Sequence, residues 1–483
     1  MTRKTNAPIA SVLLSALCLA AIASAQSGWW RTYGGTNTDV GSSVRQTTDG
    51  GYIVAGNTSS FGAGDPDVYL IKTSALGDTL WTRTYGGPSV EYGTSVQQTA
   101  DGGCVIAGCT YSYGAGDVDV YLIKTDSSGD TLWTKTCGGP GEDWGTSVQQ
   151  TTDGDYIITG HTWHSADSSL DVYLIKTDSV GDTLWTRTYG GSRGDGGYSV
   201  QQTADGGYIV TGGTWSYGAG YDDVYLIKIN PQGDTIWTRT YGGTNYDCGT
   251  EVRQTADNGY VIAGITSSFG AGTPDSSNVY LIKTNALGDT LWTRAYGGVG
   301  NDESYSVQQT ADGGYIVAGY TSSHGAGGKD AFLIKTDSAG DTLWTRAYGG
   351  PNNDEGVAVQ ATDDNGYAVA GYTCSFGAGT PDYSNVYLIK TDDSGNTGMQ
   401  EPLARRPASS ACLIVRPDPC MSFASVPDHE TELFTVSDIA GRRVAVCKGD
   451  RVGEGLRPGI YFLSPVDRKP GKAMTATVIK AGY

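Results

Sequence analysis

The apolar residues of this chain fall in short runs separated by polar, glycine-rich turns, and no segment sustains the 3.6-residue period of an amphipathic helix. One stretch shows the pattern. Thr94–Thr99 reads as a strand, Ala100-Asp101-Gly102-Gly103 as a tight turn in which glycine supplies positive φ, and Cys104–Thr110 as a second strand. A loop through Gly114-Ala115-Gly116 leads to a third strand over Val120–Thr125. Ser127-Ser128-Gly129 then turns the chain into a fourth over Thr131–Cys137. The runs are rich in Val, Ile, Tyr, Thr and Trp, which suit a pleated, half-buried surface.

This four-strand sentence is written seven times. The motif tryptophans are Trp29, Trp81, Trp133, Trp185, Trp237, Trp292 and Trp344. "VQQTADGGYIVAG" (Val307–Gly319) has counterparts starting at Val44, Val96, Val148, Val200, Val252 and Val359, and "DVYLIKT" also occurs in seven versions. Four strands in roughly 50 residues, repeated seven times, predict an all-β, seven-bladed β-propeller. An open solenoid is the alternative, and the ends of the array argue for a ring. Met399 stands where the last unit is due a tryptophan, so that unit lacks its fourth strand, while Trp29–Gly35 is a fourth strand with no unit before it. Trp29–Tyr33 is therefore expected to complete the last blade beside Val386–Thr391, removing an exposed sheet edge.

Composition narrows the function classes. The 483 residues carry a formal net charge of −19, which excludes nucleic acid as a partner and favours cations. Residues 1–25 read as a signal peptide: Arg3 and Lys4, an apolar stretch from Ile9 to Ile22, then Ala23-Ser24-Ala25 as cleavage site, with Gln26 starting the mature chain. That apolar stretch is short for a membrane span and no other segment approaches one. The mature chain is thus expected to be a monomer without a span, secreted or held at the outer-membrane surface. Its eight cysteines show no metal-ligand spacing and mostly stand where sister repeats carry other residues. Composition shifts near Gly398. The expected domains are the propeller over 26–396, a linker over 397–411 containing "EPLARRPASSA", and a small β-sandwich over 412–483.

The repeat, read as "VQQTADGGYIVAG" followed by "DVYLIKTDSSGDTLW", resembles the bacterial β-propeller repeat called SBBP, from about Trp29 to Gly395. That resemblance implies the fold and leaves the activity open. Beyond the linker, "CLIVRPDPC", "LFTVSDIAGRRVAV" and "LRPGIYFL" resemble the type IX secretion sorting domain, a small β-sandwich that directs proteins across the outer membrane, although Asp418 stands where that family usually has Asn. The resemblance implies the type IX secretion machinery as a partner.

Ten residues after each motif tryptophan comes an acid: Asp39, Glu91, Asp143, Asp195, Asp247, Asp302 and Asp354. These are expected in the loops between blades, on the face where the loops between second and third strands open. Those loops carry Phe61, Tyr113, Tyr217, Phe269 and Phe376 at one repeated position, more acids (Asp65, Asp67, Asp117, Asp119), and two three-residue insertions near Pro274–Ser277 and Pro381–Ser384. Long, variable loops are where function concentrates, so this face is the expected ligand-binding face. Two readings of the acids stay open: capping of backbone N–H groups, and calcium binding, with Asp65, Asp67, Asp117 and Asp119 as candidate ligands. His161 and His164 form an H-x-x-H pair without a third zinc ligand in sequence. No catalytic motif is found, no cofactor beyond calcium suggests itself, and near-identical repeats disfavour the unequal acid–base pair that catalysis needs. The expectation is a non-enzymatic binding scaffold for extracellular glycan or protein. A carbohydrate-active hydrolase or lyase using acids of the loop face is the alternative.

Overall fold

The computed structural model describes residues 28–64, 66–164 and 169–397, and the backbone of five strands between Cys412 and Lys480. The chain divides into two units, Met1–Met399 and Gln400–Tyr483.

The first unit is a ring of seven four-stranded antiparallel sheets. In blade one the strands are Asp39–Gln46, Tyr52–Thr58, Asp67–Thr73 and Thr79–Tyr85, from the axis outward. Blades two to six repeat this order over residues 91–137, 143–189, 195–241, 247–296 and 302–348. The first strands of all the blades line a central cavity. Second and third strands are buried almost throughout and fourth strands are largely exposed. This explains the sequence pattern. A third strand such as Asp119–Thr125 packs on a neighbouring blade with both faces and is continuously buried, whereas the outer Thr79–Tyr85 mixes Leu, Trp, Thr and Arg. Among the described residues no helix is long and apolar enough to cross a membrane.

Seven separate hydrophobic cores fill the gaps between blades. The one between blades one and two joins Ile53, Ala55, Val68, Leu70 and Tyr85 to Val96, Cys104, Ile106, Tyr121 and Ile123. The motif tryptophan works across such a gap. Trp133 meets Tyr156 of the next blade edge-on, ring centres 5.9 Å apart, and Trp185–Tyr208, Trp237–Tyr260 and Trp292–Tyr315 repeat the contact. The Arg two residues on lies over the same indole, as Arg83 does over Trp81 at 5.6 Å. The Tyr85 hydroxyl donates to the Gly129 carbonyl of blade two at 2.6 Å. Gly129 has φ +79°, and a Cβ there would meet the Trp81 ring, so the turn and the close approach both require glycine.

On the face of the tight turns, each third strand ends in a buried lysine. Lys124 Nζ lies 2.8 Å from Asp101 and also donates to the Thr125 carbonyl. The same pair forms in every blade, from Lys72–Asp49 to Lys390–Asp364. Asp101 also accepts from Thr99 Oγ1 and the Gly103 N–H. Those bonds and Lys124 hold its carboxyl down at about 2, against the opposing effect of burial.

Ring closure follows the expected register. Trp29–Tyr33 pairs antiparallel with Asn385–Thr391, Trp29 opposite Lys390 and Tyr33 opposite Val386, and completes the blade begun by Asp354–Ala361 and Tyr367–Thr373. In the second unit the described strands form one five-stranded sheet, in the order Cys412–Val415, Ala476–Lys480, Gly459–Pro465, Leu433–Asp438, Arg443–Lys448. The first of these pairs parallel with its neighbour. The second layer of a sandwich is not among the described residues.

Trp29 is 3% exposed and packs on Tyr52 of blade one. Trp29→Ala is expected to cost about 3–5 kcal/mol and to lower the midpoint of denaturant unfolding. A loss below about 1 kcal/mol would show that the closing strand contributes little to the ring.

Candidate ligand-binding face

The seven acids lie on the expected face but not in loops. Each is the first residue of an inner strand, as Glu91 is of Glu91–Gln98, and each is at most 2% exposed. Their partners explain this. Asp302 accepts from the hydroxyls of Thr321 and Ser323 and from the Gly298 N–H, while its own N–H donates to the Ser277 carbonyl of blade five. Asp39 has the same set in Thr58, Ser60, Gly35 and Ser384. Of the readings left open for these acids, their hydrogen bonds match capping. Asp39, Glu91, Asp143, Asp195, Asp247, Asp302 and Asp354 cap the Gly-Gly turn, and the N–H groups of Asp39, Glu91, Asp143, Asp247, Asp302 and Asp354 tie their blades to the ones before them.

The second set of acids divides. Asp65 lies outside the described residues. Asp117 is exposed. Asp67 and Asp119 are buried first residues of third strands and cap the glycine loop, accepting from Gly64 N–H at 3.0 Å and Ala115 N–H at 2.9 Å. Asp67 adjoins Glu91 of the next blade, and its carboxyl is pushed up, chiefly by burial and then by that neighbour. In the two blades with loop insertions the same position is Asn278 and Asn385, each donating to its loop carbonyl. Each insertion divides: Ser277 and Ser384 are buried against the acids of the following blades, whereas Pro274, Asp275, Pro381, Asp382 and Tyr383 are exposed. Among the described residues no group of three His, Cys, Asp or Glu side chains is placed to hold a metal ion.

The loop aromatics are half exposed, their edges resting on the third strand below. Phe61 meets Tyr69, Tyr113 meets Tyr121, Tyr217 meets Tyr225 and Phe269 meets Tyr280, with centres 5.6–5.9 Å apart. Tyr113 and Tyr217 also donate to the carbonyls of Gly86 and Gly190. Phe376 is less accessible, covered by Trp30 at 5.0 Å. Comparable in exposure to the other loop aromatics are three residues at one repeated position, just after the second strand's threonine. Tyr111, Trp163 and Trp215, on adjacent blades two, three and four, are 44%, 43% and 53% exposed. Blades one, five and six carry serine there. Departure from the repeat was the available signal.

The same departure marks the loop-face end of the inner strands. On blades two and three, Tyr92 stacks on Trp144 and Trp144 on His161, with Tyr111 edge-on. Burial drives the His161 pKa down to about 4, so this ring is neutral. The His164 side chain lies outside the described residues, and the zinc pair gains no support. Blades six and seven instead carry Glu303 and Glu355. Tyr305 Oη donates to Glu303 at 3.2 Å, and Lys329 pairs with Glu355 at 2.8 Å while lying over the Tyr320 ring. Beside Trp215, the Asp222 carboxyl is buried with one oxygen unpartnered, and that burial pushes its pKa up to about 7. The thiols of Cys104, Cys109, Cys137, Cys248 and Cys374 are free. Burial pushes those of Cys104 and Cys109 up to about 11 and 12, against nucleophilic use.

Fold and repeats together make this chain a β-propeller repeat protein. No protein-family model matches it. Regulatory protein FlaEY of Caulobacter vibrioides is 26% identical over 377 residues, covering 64% of this chain and 38% of that protein. An uncharacterized WD repeat-containing protein, L264, of Acanthamoeba polyphaga mimivirus is 23% identical over 225 residues, covering 45% of this chain and 15% of that one. The chain thus spans well under half the length of these relatives. Among solved structures, the Pan2 WD40 domain of Neurospora crassa is 10% identical (75% of this chain, 95% of that one, TM-score 0.43), and Sqt1 from Chaetomium thermophilum 11% (95% and 99%, TM-score 0.42). Puromycin hydrolase is 12% identical (93% and 68%, TM-score 0.47). Likenesses at this level carry no functional argument.

Asp302→Ala leaves two hydroxyls and one N–H without their acceptor, and is expected to cost about 1–3 kcal/mol per buried group left unpaired, read as a lowered unfolding midpoint. Wild-type stability in this variant would return the acid ring to the list of binding residues.

Proposed function

We propose that the protein is an exported, non-enzymatic scaffold whose propeller binds extracellular glycan or protein on the loop face. The observation that carries this reading is the arc of Tyr111, Trp163 and Trp215, exposed at one repeated position of three adjacent blades. Flat aromatic surfaces fixed at a rigid rim suit the C–H face of a sugar ring or an apolar patch of a partner protein. The half-exposed Phe61, Tyr113, Tyr217 and Phe269 extend the surface around the ring, so several weak contacts can act at once. The acidic surface favours neutral or cationic ligands.

One observation favours the enzymatic alternative: the Asp222 carboxyl beside Trp215, pushed up to about 7 by burial, lies in the range a general acid uses. A single experiment separates the readings. The full mature chain and the triple variant Tyr111→Ala, Trp163→Ala, Trp215→Ala are screened on glycan and protein arrays, with and without calcium, and assayed for polysaccharide turnover. Binding by the parent, lost at least tenfold in the variant with the unfolding midpoint retained, is expected. Turnover that disappears in Asp222→Asn would replace the scaffold with a hydrolase or lyase.

Export rests on residues 1–25 and on the sorting-domain resemblance of Pro417-Asp418-Pro419, Asp438–Arg442 and Pro458–Phe462. On this reading the chain is delivered by the type IX machinery to the cell surface or medium. Removing 412–483 is expected to abolish delivery in a host with that machinery; undiminished surface protein in fractionation would overturn this part.

A further inference from the structure

One layer of the central cavity departs from the repeat. The residue after the first-strand valine is glutamine in five blades and arginine in two, at Arg45 and Arg253. Each glutamine has a structural task, because its Oε1 accepts a backbone N–H of the next blade. Gln97 accepts from Gln150 at 2.5 Å, Gln149 from Gln202 at 2.6 Å and Gln308 from Ala361 at 2.9 Å. Gln201 and Gln360 do the same for Gln254 and Gln46. An arginine has no acceptor to offer, so the amides of Gln98 and Gln309 lose the bond this position supplies elsewhere. The substitution costs an inter-blade contact, and the bond Arg45 makes, to the Val44 carbonyl of its own strand, does not replace it.

Their surroundings leave one charge uncompensated. Arg253 pairs with Glu251 two residues earlier on its strand. Glu251 stands where most sister strands have serine, and takes over the serine's bond by accepting from the Ser306 hydroxyl and the Val307 N–H at 2.6 and 2.7 Å. Nε of Arg253 is buried without a partner. Arg45 donates to the Val44 carbonyl at 2.7 Å and has no ion-pair partner among the described residues. Both arginines line the cavity, of about 150 Å³, with Ser42, Thr94 and Thr146. Burial first, and the Arg253 guanidinium second, lower the pKa of Arg45 to about 10, so it remains charged at neutral pH. A chain of net charge −19 thus holds two cations and one anion at its centre, and the partly exposed Arg45 faces this cavity with only Glu251, already paired to Arg253, as a nearby counter-charge.

We propose that the central cavity binds a small oxyanion, a carboxylate or a phosphate, between Arg45 and Arg253. The planar guanidinium fork matches both groups, and the Ser and Thr hydroxyls supply further donors. The cavity is walled by the first strands of all seven blades and suits one small anion. This site is separate from the aromatic arc and stands or falls without it.

The test uses the full mature chain, with inorganic phosphate and glucuronate as probes and sodium chloride at matched ionic strength as control. Calorimetric titration and the shift of the thermal midpoint are read for the parent, Arg45→Gln and Arg253→Gln. Glutamine is the native residue at this position in five blades, so Arg45→Gln should fold and, without anion, be at least as stable as the parent. Saturable binding of either probe by the parent, weakened at least tenfold in Arg45→Gln, is the expected result. Phosphate alone binding would identify a phosphate site, and glucuronate alone a carboxylate site. No binding of either at millimolar concentration, or equal binding by Arg45→Gln, would overturn the proposal.

Discussion

The ring exists because of one antiparallel pair of strands. Trp29–Tyr33 on Asn385–Thr391 is the only hydrogen-bonded ladder among the described residues that joins the two ends of the repeat array. Without it the last blade would have three strands, Trp29 would leave the core it shares with Tyr52, Val54 and Val386, and the indole of Trp30 would no longer cover Phe376. Every other interface is a copy of its neighbours, and a copied interface does not by itself decide between a ring and an open stack. The closing pair does, and the central cavity with its two arginines is defined only once that decision is made.

Much of this was legible in the sequence, because a blade is a local object and its period is written out seven times. Strand positions, blade count and the closing strand all follow from that period. The acid ring was misplaced for a physical reason. An aspartate in a loop and one at the first position of a strand look alike in sequence, and what buries Asp302 is a pair of hydroxyls, Thr321 and Ser323, about twenty positions further on. The Lys–Asp clamp does leave a signal in the sequence: a lysine inside a buried third strand has to find a counter-charge, and Asp101 supplies it to Lys124. The exposed arc of Tyr111, Trp163 and Trp215 is written as a departure from the repeat, and only the folded ring shows that the three positions are neighbours at the surface.

Constancy and variation therefore carry different information within this one chain. Positions that are nearly the same in every blade (the indole, the clamp lysine, the capping acid) are buried or half-buried and are accounted for by packing and hydrogen bonding. Positions that differ from blade to blade lie on the loop face, at the inner-strand rim and around the cavity. There the aromatic side of blades two and three and the Glu303–Glu355 side of blades six and seven break the sevenfold symmetry that the scaffold imposes.

The closing strand also fixes the order in which the molecule can be finished. Residue 29 cannot meet residue 390 until nearly four hundred residues have been made, and loop closure over such a span is slow compared with forming one blade. Nascent blades can form as they emerge, but the first strand waits, unpaired, through the whole synthesis. A chain in that condition is an open spiral with two sticky edges, still able to be threaded or unravelled, and it becomes a rigid disc only when its last repeat arrives.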